Sequence, residues 1–221
     1  MAIFKIIFLI LFSSSLFALQ ISPIRINLDK KNKISSIKIK NDLKKERTFQ
    51  LKIYKWEISE NGRYKLTKIK KNEMIIMPMI FTLKKNQLKV IKIGKLKISG
   101  NPENYRLYIT DITKSTKKNY IAMKAENNLP VFVSQNDKKS NILMKVIKKK
   151  DTIVLNFTNN GQKHDSVFKI YGLTKEGKEE IVFSSYRYIL PSGKIKLIMK
   201  NKNYNKVKVK FEYAKEQIHK I

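Results

Sequence analysis

The sequence predicts an all-β protein built from two β-sandwich domains, and three observations carry that expectation. Apolar residues and lysines alternate with period two through most of the chain beyond residue 19, the signature of antiparallel sheet with one wet face. Turn signals interrupt these runs about every 8–12 residues, as sandwich strands require. No capped amphipathic helix of ordinary length can be read beyond residue 19. Length agrees, because 221 residues make one or two domains of ~100–150 residues each, enough to bury real cores. At 42% hydrophobic and 10% aromatic residues, a disordered basic tail is excluded despite a net charge of +31.

Taken in order, residues 1–18 read MAIFKIIFLILFSSSLFA, with one lysine, an apolar run from Ile6 to Phe12, a serine-rich boundary and Ala18. That charged, apolar, small-residue order is a secretory signal peptide. Its apolar run is well short of the ~20 residues that span a bilayer, and no stop-transfer segment follows, so no membrane span is expected after cleavage. Cutting after Ala18 starts the mature chain at Leu19 and removes only Lys5 from the basic count. The chain has no cysteine, which excludes disulfides, thiolate metal sites, cysteine nucleophiles and lipoprotein acylation. An exported fold of this kind must hold together by packing alone.

The first set of strands includes Ile37-Lys38-Ile39-Lys40, Leu51-Lys52-Ile53-Tyr54-Lys55-Trp56 and Val90-Ile91-Lys92-Ile93, continuing into Leu96-Lys97-Ile98. Turns are marked by Asn41-Asp42, Asn61-Gly62, Lys84-Lys85-Asn86 and Gly100-Asn101-Pro102. Asn127, Asn128, Leu129 and Pro130 read as a hinge, since proline breaks a ladder and asparagine tolerates turns. A second set follows in Ile153-Val154-Leu155-Asn156-Phe157, Ile195-Lys196-Leu197-Ile198 and Val207-Lys208-Val209-Lys210-Phe211, with turns at Asn159-Asn160-Gly161, Glu176-Gly177 and Pro191-Ser192-Gly193. The expected organisation is therefore a signal peptide at 1–18, an N-terminal sandwich at 19–126, an inter-domain linker at 127–135 and a smaller C-terminal sandwich at 136–221.

Only five of the 48 basic residues are arginine, at positions 25, 47, 63, 106 and 187. Specific nucleic-acid readers lean on arginine for bidentate contacts and interleave aromatics in a patch, whereas lysine here alternates with isoleucine as solvated strand face. No specific nucleic-acid partner is expected. Catalytic signatures are lacking: there is no GxSxG, P-loop or GxGxxG, and His164 and His219 have no metal-ligand spacing to a carboxylate. Both histidines read as surface residues, and the His164-Asp165-Ser166 run is discounted as a triad, because sequence neighbours seldom converge as nucleophile, base and orienter. No enzyme, cofactor or metal is expected.

The order of segments resembles the periplasmic chaperones of the chaperone-usher pilus pathway, especially the group serving Mat-like and spore-coat-like fimbriae. Ile21-Ser22-Pro23-Ile24-Arg25-Ile26-Asn27-Leu28 is similar to that family's first strand, and Ile37 to Asn41 with Phe49 to Trp56 to its second and third. Met77-Pro78-Met79-Ile80-Phe81-Thr82-Leu83, a Lys-Lys-Asn turn and Gln87 to Ile93 resemble its proline-led strand, turn and following strand. Tyr105 to Ile112 resembles the strand before its long loop, Leu129-Pro130-Val131-Phe132-Val133 the passage into the second domain, and Asn159 to His164 and Tyr188 to Gly193 two of its later turns.

The resemblance implies two immunoglobulin-like sandwiches in the periplasm that bind fimbrial subunits and hand them to an outer-membrane usher. Subunits of that pathway lack a strand, and the chaperone lends one, giving main-chain hydrogen bonds while alternate side chains fill the groove. By position the lent strand is Tyr120 to Ala125, with Ile121, Met123 and Ala125 facing the subunit. Arg25 falls on the family's basic residue in the inter-domain cleft, which holds the subunit's C-terminal carboxylate, and a guanidinium suits that role with two parallel donors. Better-known members pair it with a lysine near the start of the linking segment; Pro130 stands there in this chain, and Lys124 is the candidate substitute. The competing reading is a secreted structural or adhesive β-sandwich protein of the cell surface, which would complete its sandwich internally.

Overall fold

The computed structural model describes residues 19–114, 126–134 and 138–221, so the expected signal peptide lies outside the described residues. Within them the chain is all-β. The strands of the first sandwich are β1 (Leu19–Ser22), β2 (Ile26–Leu28), β3 (Ile34–Asn41), β4 (Arg47–Ile58), β5 (Tyr64–Lys68), β6 (Ile75–Met77), β7 (Ile80–Leu83), β8 (Leu88–Gly94), β9 (Glu103–Asp111) and β10 (Glu126–Val133). One sheet runs β1-β3-β8-β6; the other runs β2-β10-β9-β4-β5, with β7 also beside β4. Ile37, Ile39, Leu51, Ile91, Leu107 and Val131 are sealed between the two sheets, as period-two alternation with lysine outside demands.

The entering chain changes sheets. Strand β1 pairs antiparallel with β3, and after Pro23, Ile24 and Arg25 the chain continues as β2, parallel to β10. Arg25 therefore sits on the crossover from one sheet to the other.

The second sandwich packs β11 (Ile142–Lys148), β12 (Thr152–Asn159) and β15 (Lys194–Lys200) against β13 (Asp165–Leu173), β14 (Glu179–Ile189), β16 (Lys206–Phe211) and β17 (Gln217–Lys220). Ile153, Leu155, Phe157, Val167, Val207 and Val209 are its sealed core. Gly172 of β13 lies so close to the Tyr204 ring that an added Cβ would come within 2.6 Å of it, which fixes a glycine there.

Both sandwiches use one device at a strand end. Asn41 and Asn159 are fully buried, and each side-chain amide donates to its own turn and to a distant strand. Asn41 reaches the carbonyls of Lys45 and Leu83 at 2.9 Å each, and Asn159 those of Lys163 and Ile189 at 2.8 and 3.1 Å. Two turn signals of the sequence are thus buried stitches, whose polar atoms are satisfied as burial requires.

One boundary is corrected. The linker expected over 127–135 is, through Val133, part of β10, paired with β9 along its whole length from Glu126↔Thr110 to Val133↔Glu103. Pro130 argued for a break, but among the described residues it has a strand on one side only, because pairing with β2 begins at Val131. A ladder tolerates proline at such an edge position.

Candidate functional site

Period-two parity exposes the site. On β4 the core-facing residues are Phe49, Leu51 and Ile53; on β9 they are Tyr105, Leu107 and Ile109; on β10 they are Leu129, Val131 and Val133. Trp56, Arg106 and Phe132 have the opposite parity and belong on the outer, normally wet face, yet they are only 1%, 6% and 2% exposed. What covers them is the second sandwich. Trp56, Phe132 and Leu190 form a separate buried cluster joined by Ile58 and Tyr188, and the Lys196 N–H of β15 donates to the Glu60 carbonyl of the β4–β5 turn at 2.9 Å. A cleft of about 190 Å³ opens beside this joint, lined by Ile58, Tyr64, Arg187, Tyr188 and Ile195 among others.

Arg106 occupies the joint without an acid. Its guanidinium lies over the Trp56 ring at 4.0 Å and the Tyr64 ring at 4.9 Å. Nη1 donates to Asn128 Oδ1 at 2.8 Å and Nη2 to the Tyr64 hydroxyl at 3.3 Å, while Nε has no partner. No ion pair joins it to a carboxylate among the described residues, and burial lowers its pKa from the usual arginine value. Ring faces and neutral acceptors compensate the charge instead.

Arg25 makes the opposite choice. Its Nη1 and Nη2 donate to the two oxygens of Glu212 at 2.8 and 2.5 Å. The hydrogen bond to Glu212 raises the Arg25 pKa further above its ordinary value, against the effect of burial. Burial works to raise the Glu212 pKa, but the hydrogen bonds from Arg25 and Ser166 outweigh it and leave the carboxyl lowered. Glu212 follows β16, and its turn is clamped from below. Asp165, fully buried, accepts from the backbone N–H groups of Glu212 and Tyr213 at 3.1 Å each and of Ala214 at 2.9 Å. The Ser166 hydroxyl adds a bond to Glu212 Oε2 at 2.7 Å.

His164, expected at the surface, is 2% exposed. Its ring stacks on Phe132 at 3.5 Å and 9°, and Tyr213 meets it edge-on at 5.5 Å. Desolvation lowers its pKa to about 3, so it is neutral in the folded protein. Sequence saw a turn beside His164, and a turn is normally wet; here the other domain seals it. The discounted His164-Asp165-Ser166 run proves to be a stack, a clamp and a carboxylate donor. Among the described residues no cluster of three or more His, Asp or Glu could hold a metal ion.

Of the residues expected to bind a partner, Arg25 stands at the joint between the sandwiches, paired with Glu212. Ile121, Met123, Lys124 and Ala125 lie outside the described residues. Arg106 was missed: β9–β10 register places it directly opposite Pro130, the position where a basic residue was sought. The far edge of β10 carries β2 only at Val131, Phe132 and Val133, so among the described residues Glu126 to Pro130 have no strand on that side.

Against known proteins, the family model described as pili and flagellar-assembly chaperone, PapD N-terminal domain, matches residues 18–137. No curated protein matches the sequence significantly. Among solved structures the chain is similar to one from the CsuC-CsuE chaperone-tip adhesion subunit pre-assembly complex of the archaic Csu pili of Acinetobacter baumannii. The TM-score is 0.66 at 16% identity, covering 91% of this chain and 97% of that one. It is also similar to one from the Salmonella enterica SafA pilin complex with the SafB chaperone (TM-score 0.62, 9% identity, 95% and 99% covered). The Pseudomonas aeruginosa CupB2 chaperone gives a TM-score of 0.58 at 12% identity, with 90% and 98% covered.

Proposed function

Because the chain belongs to the family of pili and flagellar-assembly chaperones, we propose that it captures an incomplete pilus subunit in the periplasm by lending it a strand, and passes it to an outer-membrane usher. The observation that carries this reading is the open edge of β10. Its N-terminal half, unpaired on that side among the described residues, follows in sequence the Tyr120 to Ala125 segment, whose Ile121, Met123 and Ala125 alternate as a groove-filling strand must. An unpaired edge is an aggregation hazard unless a partner uses it.

The joint between the sandwiches supplies the second contact. Arg25 uses only two of its five N–H donors on Glu212, and Arg106 adds a positive charge opposite Pro130. Together they make the joint attractive to a terminal carboxylate, with Arg25 as the group that can grip it; Arg106, sealed under its rings, adds charge from behind and does not replace the anchor that Lys124 was expected to supply.

Replacing Ile121 and Met123 with Asp is expected to abolish capture of a strand-deficient pilin while the circular dichroism melt stays in place; unchanged capture removes this strand from the mechanism. A protein that instead polymerises by itself, or keeps no pilin in solution, is the adhesive or structural sandwich of the competing reading.

A further inference from the structure

The proposed function assigns Arg25 to an incoming carboxylate, but in this structure an internal carboxylate already holds it. We propose that Glu212 is a resident stand-in for the client's carboxylate, a latch between the domains that the client must displace. The inference rests on the reading of Arg25 as an anchor.

The geometry is that of a preformed ligand contact. Both Glu212 oxygens are engaged by the two Nη groups of Arg25, the fork-to-fork pairing that a free chain terminus would also adopt. The Glu212 side is built rather than incidental: Asp165 accepts the N–H groups of residues 212 to 214, and Ser166 holds Oε2. The arginine side comes from the β1–β2 crossover of the other domain. One ion pair therefore couples the entry segment of the first sandwich to the end of β16 in the second.

The side chains are 26% and 16% exposed, so the pair borders solvent and a second carboxylate can approach. Arg106, at 6% and covered by rings, offers no such exchange. Substituting one carboxylate for another conserves the charge and the two hydrogen bonds on Arg25. Glu212 keeps its Ser166 hydroxyl and gains water. The exchange is thus close to neutral at Arg25, and what it releases is the inter-domain tie.

Removing the stand-in should favour the external carboxylate. The test uses full-length mature protein and two synthetic probes, a peptide of alternating valine and serine ending in a free α-carboxylate and the same peptide as its C-terminal amide. Calorimetry is run on wild type, Glu212→Gln, Arg25→Ala and the double variant, with thermal melts to confirm folding. Glu212→Gln is expected to bind the free acid about tenfold more tightly than wild type, and to leave the amide unchanged. Adding Arg25→Ala should erase that gain.

Equal or weaker binding of the acid to Glu212→Gln, or no acid-dependent binding to it, overturns the latch. If Arg25→Ala alone weakens the acid but Glu212→Gln does not strengthen it, only the latch fails and the anchor reading stands. If the double variant binds the acid as well as Glu212→Gln does, the anchor reading fails, and the latch with it.

Discussion

Two arginines enter the same joint and are neutralised by different means. Arg25 meets a carboxylate carried by the other domain, whereas Arg106 lies among Trp56, Tyr64 and Tyr188 with an asparagine and a phenol as acceptors. The first arrangement is exchangeable, because any carboxylate presents the same two acceptors. The second is not, because a stack of rings around a guanidinium has no small-molecule equivalent. Tyr188 feels both charges, so the contrast is drawn inside one cleft. One arginine is suited to be handed over and the other to hold the cleft in shape.

Breaking the aromatic half should have the largest effect. Trp56→Ala removes the ring on which Arg106, Phe132, Tyr64 and Tyr188 converge. It is expected to lower unfolding stability by about 3–5 kcal/mol, read by urea denaturation with circular dichroism. A loss below about 1 kcal/mol would place the joint's stability elsewhere.

The next effect is acid. His164 has a folded-state pKa of about 3 against an unfolded value of about 6.5. The unfolded chain therefore binds a proton that the folded protein refuses. Stability is full above about 6.5 and declines as pH falls towards about 3, by roughly 4 kcal/mol over that window. Glu212, with its pKa lowered, adds to the decline where it protonates below the ordinary carboxylate range. His164→Phe keeps a ring against Phe132 and removes the titration. Stability plotted against pH should flatten between about 4 and 6.5, and an unchanged slope would clear His164 of the effect.

The smaller effects separate the two arginines. Arg106→Ala should cost about 2 kcal/mol, through lost cover of Trp56 and an unpaired Asn128, with no dependence on salt. Arg25→Ala should cost about 1 kcal/mol by leaving Glu212 half-buried and uncompensated, and raised salt should shrink the difference. Chemical denaturation of both variants at two ionic strengths checks the pair. Identical salt responses would show that the two sites are not different in kind.

Much of this was legible in the residues themselves. Alternation located the strands around Ile37, Leu51, Ile91, Ile153 and Val207, and Asn41 and Asn159 announced two turns. Arg25 was singled out because it falls where the resembling family carries its basic cleft residue, not by any periodicity of its own; it lies on the crossover between β1 and β2. Arg106 and Trp56 carried a usable sign that went unread: both are out of step with the core parity of their own strands, and an aromatic out of step in a lysine-rich sheet marks a covered outer face. Pro130 misled in the other direction, since a proline looks the same at a linker and at a strand edge.

The sequence by itself determined that this chain is sheet throughout its described length, where its turns fall, and which side of each strand faces its own core. Those properties are local, set by the two-residue period and by the backbone demands of asparagine, glycine and proline. Only the tertiary structure decided that the outer face of the β4, β9 and β10 strands is dry at Trp56, Arg106 and Phe132, that His164 is sealed, and that Arg25 meets Glu212 across 187 positions of chain. Period two states which face a residue takes and is silent about what another domain lays upon it.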